Sequence, residues 1–436
     1  MPSLISKIQH ISSSRDSALP SPDAQIEKGT KFAFQCFLWF GVIVFIAPQA
    51  FVPGLSALGT GKIIMFLALF SYAKFAYSQG RLSFVKGSEL KILAGFLLLS
   101  LLSVGFSRWP GGSVQFFMDF AWKAGVVFFL AANLLYSGER ARQLCWTFVL
   151  FAAVNSFIGL ENWSSGNMKE GATNRIEGGF APLASNPNDL GLLLDISLPL
   201  VWYAYRTATT KATRYMALLT IAASVLTVVI TFSRGAFLGL FVVAGLTAWK
   251  LGKGKRIRIF VLIAVLLPVT LAILPGGYSD RMLSIFYGDM DETGSREGRI
   301  KLMEAGVTSM IEHPLGVGLG MNILTAADSG AGWNVIHNAY LQVGVELGVV
   351  GFILYLALIW KTSQGLSAIE QSPVRNIADL AFAIRLSLIA FMVGGFFGPV
   401  AYNFYFFYPG GMAIALKSLV KRTPHLLHAT KAEPIE

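Results

Sequence analysis

His337 opens an apolar run as His337-Asn338-Ala339-Tyr340-Leu341-Gln342, and histidine is the side chain whose unperturbed pKa permits proton transfer near neutrality. On pattern alone two readings stand: a general base, or an interfacial histidine that caps the helix together with Asn338. The cap is the commoner of the two. Four arginines, Arg175, Arg234, Arg296 and Arg299, fall in segments otherwise poor in charge. A guanidinium presents a planar fork suited to bidentate phosphate binding, so such a set beside an imidazole describes the handling of a phosphorylated substrate. Taken singly, each arginine reads first as snorkelling to lipid headgroups or pairing with Asp291, Glu297 or Glu304; the set beside His337 leans to function. Arg234 stands in the middle of the apolar stretch Ala217–Trp249, between Ser233 and Gly235. An arginine at the centre of a spanning helix costs about 2.5–3.5 kcal/mol on insertion scales. The stretch is therefore read as two helices joined by a tight turn that holds the guanidinium at the membrane surface.

Other constellations carry less. His313 precedes a proline at a helix end and reads as structural, and His10, His425 and His428 lie in the tails. Asp289-Met290-Asp291 has the Asp-x-Asp form of a metal element, but Gly288, Glu292 and Gly294 around it describe a solvated turn. No metal site is expected. Gly316, Gly318 and Gly320 follow no strand and are not a dinucleotide fingerprint. No cofactor is expected either. Asp195 and Glu346 are carboxylates within apolar runs; they pair with arginines, tune His337, or serve structure.

The elements that must position these groups follow from composition. The chain of 436 residues is 54% apolar and 14% charged, with a mean hydropathy of +0.60; a soluble protein carries nearer a quarter charged residues. Apolar runs of about 18 or more residues recur along its length. Windows of about 19 residues give about twelve spans, at 32–47, 57–77, 89–106, 114–136, 142–161, 188–205, 215–232, 235–250, 257–274, 338–360, 378–397 and 402–420. The expected fold is an all-α polytopic transmembrane bundle surrounded by membrane lipids. Gly61-Lys62 dilutes the second span and Arg385 interrupts the eleventh. The formal charge of +11 gathers in alternate gaps, with a bias of roughly three to one, which is the positive-inside signature and not a nucleic-acid footprint. Both termini are thereby placed in the cytoplasm. Cys36 and Cys145 fall within apolar runs and mark neither disulfide nor zinc site.

The organisation expected is a disordered cytoplasmic tail at 1–31, with no cleavable signal, and a first bundle part at 32–274 holding a short outer segment at 162–187. A long outer loop at 275–337, a second bundle part at 338–420 and a cytoplasmic tail at 421–436 follow. The outer loop, about 60 residues, is too long for a mere connection. Within it Ile300, Met303, Val307, Met310 and Ile311 recur at helical spacing opposite Lys301, Glu304, Thr308 and Glu312, the pattern of an amphipathic helix on the bundle or in the interface. Arg299 stands at its expected first turn, Pro314 ends it, and no internal repeat is seen.

At these residues the chain resembles the bacterial O-antigen ligase and polymerase family of polytopic, GT-C-like glycosyltransferases. The likeness rests on Ser185-Asn186-Pro187-Asn188-Asp189-Leu190, on Thr231-Phe232-Ser233-Arg234-Gly235-Ala236, on Gly298-Arg299-Ile300 running to His313-Pro314-Leu315-Gly316-Val317-Gly318, and on His337 to Gln342 with Glu346-Leu347-Gly348. It covers Ser185 to about Gly351, while the first five spans share hydropathy only. Met303 departs from the tryptophan of many relatives, a matter of packing. The resemblance implies an inner-membrane enzyme whose long periplasmic loop covers a site at the membrane surface. It implies a glycan on undecaprenyl diphosphate as donor and a reaction without metal. Carried over by motif, Arg234 and Arg299 bind the diphosphate and His337 is the base, with Asn338, Ser233 and Tyr340 in support; Arg175 and Arg296 match no strong motif. The favoured activity is an O-antigen ligase with lipid A–core as acceptor. A polymerase of lipid-linked repeats, a protein O-glycan ligase and, from another class, a lipid-linked glycan transporter are the alternatives. A transporter wants paired broken helices and repeats, and none is found.

Overall fold

The computed structural model describes residues 22–52, 54, 58–79, 85, 87–168, 175–179, 181–252, 295–330 and 332–424. Among them every regular element is helical and no strand occurs. Helices α1 (Pro22–Phe45), α2 (Thr60–Ser78), α3 (Ser88–Leu102), α4 (Pro110–Leu134, with a π turn at Trp122–Val126) and α5 (Gly138–Ser164) precede the first motif. Helices α6 (Pro187–Arg206), α7 (Lys211–Ile230), α8 (Arg234–Leu251), α9 (Ser295–Glu312) and α10 (Asn322–Asp328) follow it. The chain ends in α11 (Ala339–Ser363), α12 (Arg375–Gly394) and α13 (Phe404–Arg422). Six of these, α3, α4, α5, α7, α11 and α12, are long and apolar enough to cross a membrane by length and composition, and the protein is a membrane protein on that ground. Every expected span coincides with a helix except 257–274, which lies outside the described residues, as do the Asp289–Asp291 element and the ends of both tails.

Two buried helices form the centre. α6 is buried from Leu190 to Val201 and packs on α5, α7, α8 and α12. α13 buries Phe404 to Leu416 and packs on α4 and α12. Its rings meet those of other helices at favourable separations, Phe37–Tyr408 at 5.3 Å and Phe40–Phe404 at 5.6 Å. The first tail is shorter than expected. Pro22 opens α1, and residues 22–31 are helical because Asp23-Ala24-Gln25-Ile26-Glu27-Lys28 favours helix and is tied down from behind. Tyr136 Oη donates to Glu27 at 2.7 Å, and the buried Arg140 donates to Thr30 Oγ1 at 2.9 Å and to the Glu27 carbonyl at 3.0 Å.

The helices set two unlike ends. α6, α8 and α11 begin, and α12 finishes, at the end that carries Arg234 and His337; the opposite ends carry Arg206, Lys250, Lys361 and Arg375. There Arg206 pairs with Asp379 at 3.0 Å, and Lys250 with Glu370 at 2.8 Å. Glu370 also pairs with Arg385, which explains how the eleventh expected span carries an arginine: its partner comes from the turn just before the helix.

α11 is broken at Gly348, whose φ of 67° and ψ of −167° lie where side chains are excluded. The break frees the carbonyls of Val345 and Glu346, which accept from Val317 N at 2.9 Å and Gly318 N at 3.1 Å, while Val349 N donates to the Pro314 carbonyl at 3.0 Å. The loop after α9 is laid into a helix in this way, and a Cβ at Gly348 meets the Pro314 carbonyl. Gly348→Ala is expected to lose about 1–3 kcal/mol of stability from backbone strain alone. Thermal unfolding in detergent checks this; an unchanged melting temperature would contradict it.

Candidate functional site

The first wall of the site is built at the starts of α6 and α8. Asn186 caps α6, its Oδ1 accepting from Asn188 N and Asp189 N at 3.0 Å each, as an Asn-Pro start predicts. α7 ends at Ile230 and α8 starts at Arg234, so the apolar stretch is two helices with a tight turn, as its arginine demands. Phe232 takes a left-handed φ of 53° there, and Ser233 Oγ accepts from Ala236 N at 3.4 Å. Asn188 Oδ1 receives two donors, Ser233 Oγ and Arg175 Nη2, both at 2.8 Å, and Arg175 Nε donates to the Thr231 carbonyl at 3.0 Å. Gly191 makes this possible: a Cβ there meets Ala236, so only glycine lets α6 and α8 approach this closely.

The second wall is the start of α11. Asn338 caps it, its Oδ1 accepting from Tyr340 N and Leu341 N at 3.0 Å, and Ala339 N donates to the Gly395 carbonyl at 2.7 Å. Tyr340 Oη donates to the Met392 carbonyl at 2.7 Å and its ring lies 4.7 Å from that of Phe396, which pins the end of α12 beside His337. The capping reading therefore belongs to Asn338 and leaves the imidazole for other work. His337 Nδ1 lies 2.8 Å from the Val335 carbonyl. A carbonyl only accepts, so Nδ1 carries the proton and Nε2 presents the lone pair. Burial of the ring pushes its pKa below the ordinary 6.5; the Val335 bond opposes this and the nearby Arg299 charge adds to it. A ring with a lowered pKa stays unprotonated at neutral pH. As pH falls through that value Nε2 gains a proton, so a reaction that used it as general base would have its acid limb of log kcat/KM below pH 6.5. A limb at or above 6.5 in a pH–rate profile would contradict the assignment.

His337 divides two cavities. One, of about 660 Å³, is an open groove with apolar walls from Leu238 of α8, Ile300 and Met303 of α9, and Ile389, Met392, Val393, Phe396 and Phe397 of α12 and the turn after it. Its polar lining is Arg234, Arg299 and His337. The other, of about 350 Å³, is lined by Arg175, Asn186, Asn188, Asp189 and Asn403, with His337 and Phe397 again at its edge. An open groove with apolar walls and two guanidinium groups suits a lipid chain with an anionic head; a polar cavity that shares the imidazole and Phe397 with it suits a hydroxylated second substrate.

Among the expected residues, the fold brings Arg234, Arg299 and His337 into one groove. Ser233, Asn338 and Tyr340 support it from behind. Arg175 lines the other cavity, holding the turn that carries Arg234. Arg296 lies three residues before Arg299 in α9. Arg299 stands just past the first turn, since α9 starts at Ser295. The packing face of α9 also differs from the expected stripe. Leu302 and Ser309 are buried, whereas Ile300, Val307 and Ile311 are exposed; the helix turns its most apolar residues to the groove and outward. Glu346 bonds to Asn322 and Asp195 lies buried against Gly239 of α8; neither pairs with an arginine among the described residues. Sequence reasoning does not single out Asn188, Asn322 or Phe397. Asn188 stands inside a quoted motif, but only its contact with Ser233, 45 positions away, reveals its place.

No curated protein matches the chain. A family model described as Wzy_C, O-antigen ligase, matches residues 219–356, a span that starts within α7, ends within α11 and includes both groove arginines and the histidine. The chain thus carries a domain of the O-antigen ligase family at these residues, while the groove wall from Ile389 to Phe397 lies after it.

Proposed function

We propose that the protein is an O-antigen ligase of the bacterial inner membrane, moving a polysaccharide from undecaprenyl diphosphate to lipid A–core. The observation that carries this reading is a single imidazole standing between an apolar groove with two guanidinium groups and a polar cavity. The donor's prenyl chain lies in the groove and its diphosphate between Arg234 and Arg299. The acceptor hydroxyl enters from the side of Asn188 and Asn403. The hydroxyl oxygen attacks the anomeric carbon, the bond from that carbon to the diphosphate breaks, and undecaprenyl diphosphate leaves. His337 Nε2 takes the hydroxyl proton. Direct displacement inverts the anomeric centre. The sugar is already activated by its diphosphate, so positioning, charge neutralisation and one proton acceptor suffice, and no step runs through a metal ion. The twelve-span topology, with both termini cytoplasmic and the loop at 275–337 periplasmic, fits the gathering of basic residues at the end opposite His337.

The test is transfer by purified protein, in chelator, from a glycan on undecaprenyl diphosphate to lipid A–core. Product on lipid A–core supports the ligase. Lengthening of the lipid-linked glycan itself marks a polymerase, transfer to protein a protein O-glycan ligase, and passage of intact donor across vesicles a transporter.

A further inference from the structure

Behind the imidazole lies a buried polar chain that the reaction scheme does not use. Ile336 N donates to Asn322 Oδ1 at 2.9 Å, and Asn322 Nδ2 donates to Glu346 Oε1. The directions are forced. A backbone N–H only donates, so the amide oxygen of Asn322 must face Ile336, its NH2 must face Glu346, and Glu346 must accept. Ile336 lies between Val335, whose carbonyl holds His337 Nδ1, and His337 itself. Fixing the Ile336 amide fixes both ends of that bond.

We propose that Asn322 and Glu346 are positioning residues for His337, a buried amide–carboxyl pair that sets the imidazole at the boundary of the two cavities. The proposal rests on reading His337 as the base. Three observations favour it over a purely structural pair. Asn322 is 3% exposed and Glu346 0%, and a carboxyl buried in an apolar helix is costly enough to point to function. Glu346 Oε2 and the Tyr402 hydroxyl are buried without a hydrogen bond of ordinary geometry among the described residues, although the two groups lie against each other; packing alone would not select such a pair. The backbone carbonyl of the same Glu346 accepts from Gly318 N at the break in α11. One residue therefore braces the segment that carries His337 and the loop that ends α9, the helix of Arg299.

The experiment compares Asn322→Leu, Glu346→Gln and His337→Ala in the full-length protein. Glutamine keeps an acceptor for Asn322 and turns its NH2 toward Tyr402, so Glu346→Gln is expected within about threefold of the parent. Asn322→Leu removes both bonds at similar volume. Its kcat is expected to fall on the order of 10²-fold, the effect of a misplacement near 1 Å, with the donor KM little changed. Nitrogen-15 histidine spectra, assigned by difference with His337→Ala, are expected to show loss of the single Nδ1–H tautomer in Asn322→Leu. Should Asn322→Leu fail to fold, Asn322→Ser, too short to span both partners, carries the same expectation. A parental kcat in the folded Asn322 variant overturns the proposal. So does a lost kcat with an unchanged His337 spectrum, and so does a Glu346→Gln variant as impaired as Asn322→Leu. Normal turnover of His337→Ala instead removes the base reading beneath it, an outcome separate from these.

Discussion

Replacing His337 with alanine is expected to lower kcat by about 10²–10⁴-fold, the usual contribution of a positioned general base, while donor affinity stays within a few fold. The separation of the two effects follows from geometry. Nε2 is the nitrogen left with a lone pair once Nδ1 donates to Val335, and it adds nothing to the apolar walls that hold a lipid chain. The imidazole is also kept neutral by burial and by the Arg299 charge, so it stabilises the departing proton more than the anionic donor. His337→Gln, which keeps hydrogen-bonding capacity without a titrating nitrogen, is expected to be as impaired as His337→Ala. Single-turnover rates beside equilibrium binding of labelled donor make the comparison. Near-parental turnover in either variant removes His337 from the mechanism.

The second large effect is expected at the groove arginines. Arg234→Ala and Arg299→Ala should each lower kcat/KM by about 10²–10³-fold, as loss of one preorganised charge stabiliser does. The double variant should lose less than the product of the two, because both act on one leaving group. Lysine at either position retains charge but not the planar fork and should recover activity only in part. Arg175→Ala serves as contrast. Its guanidinium ties Thr231 and Asn188 and lines the polar cavity, so its loss should loosen the turn before Arg234 and lower thermal stability along with rate. Rates measured across donor concentrations separate these cases; full activity of Arg234→Ala and of Arg299→Ala would dismiss the clamp.

How far the sequence reached is explained by which forces are local. The turn at Ser233 was legible because a lone arginine in a long apolar stretch has few tolerable placements. The helix starts at Asn186 and Asn338 were legible because capping is a matter between near neighbours. α9 was legible as a helix but not in its rotation. Its spacing gave an apolar stripe, yet the face that packs is chosen by Gly306 and Gly344, where α9 and α11 come together against Ile336 and Met310. Helix extends over 22–31, where the sequence predicts a disordered tail, because it is held by Arg140 and Tyr136, more than 100 positions away. For the same reason the division of the four arginines between two cavities, and the chain from Glu346 through Asn322 to Ile336, needed the fold. A break at a glycine within an apolar run leaves almost no trace in hydropathy, yet at Gly348 it lets a loop enter a helix and join the two halves of the site.

The measurement that bears most directly on the account is the structure of the protein with undecaprenyl diphosphate bound. The account predicts the prenyl chain along Leu238, Met392 and Phe396, both phosphates between Arg234 and Arg299, and His337 Nε2 open toward the polar cavity. A diphosphate seated instead beside Arg175, or at the end of the bundle that carries Arg206 and Lys250, would contradict it.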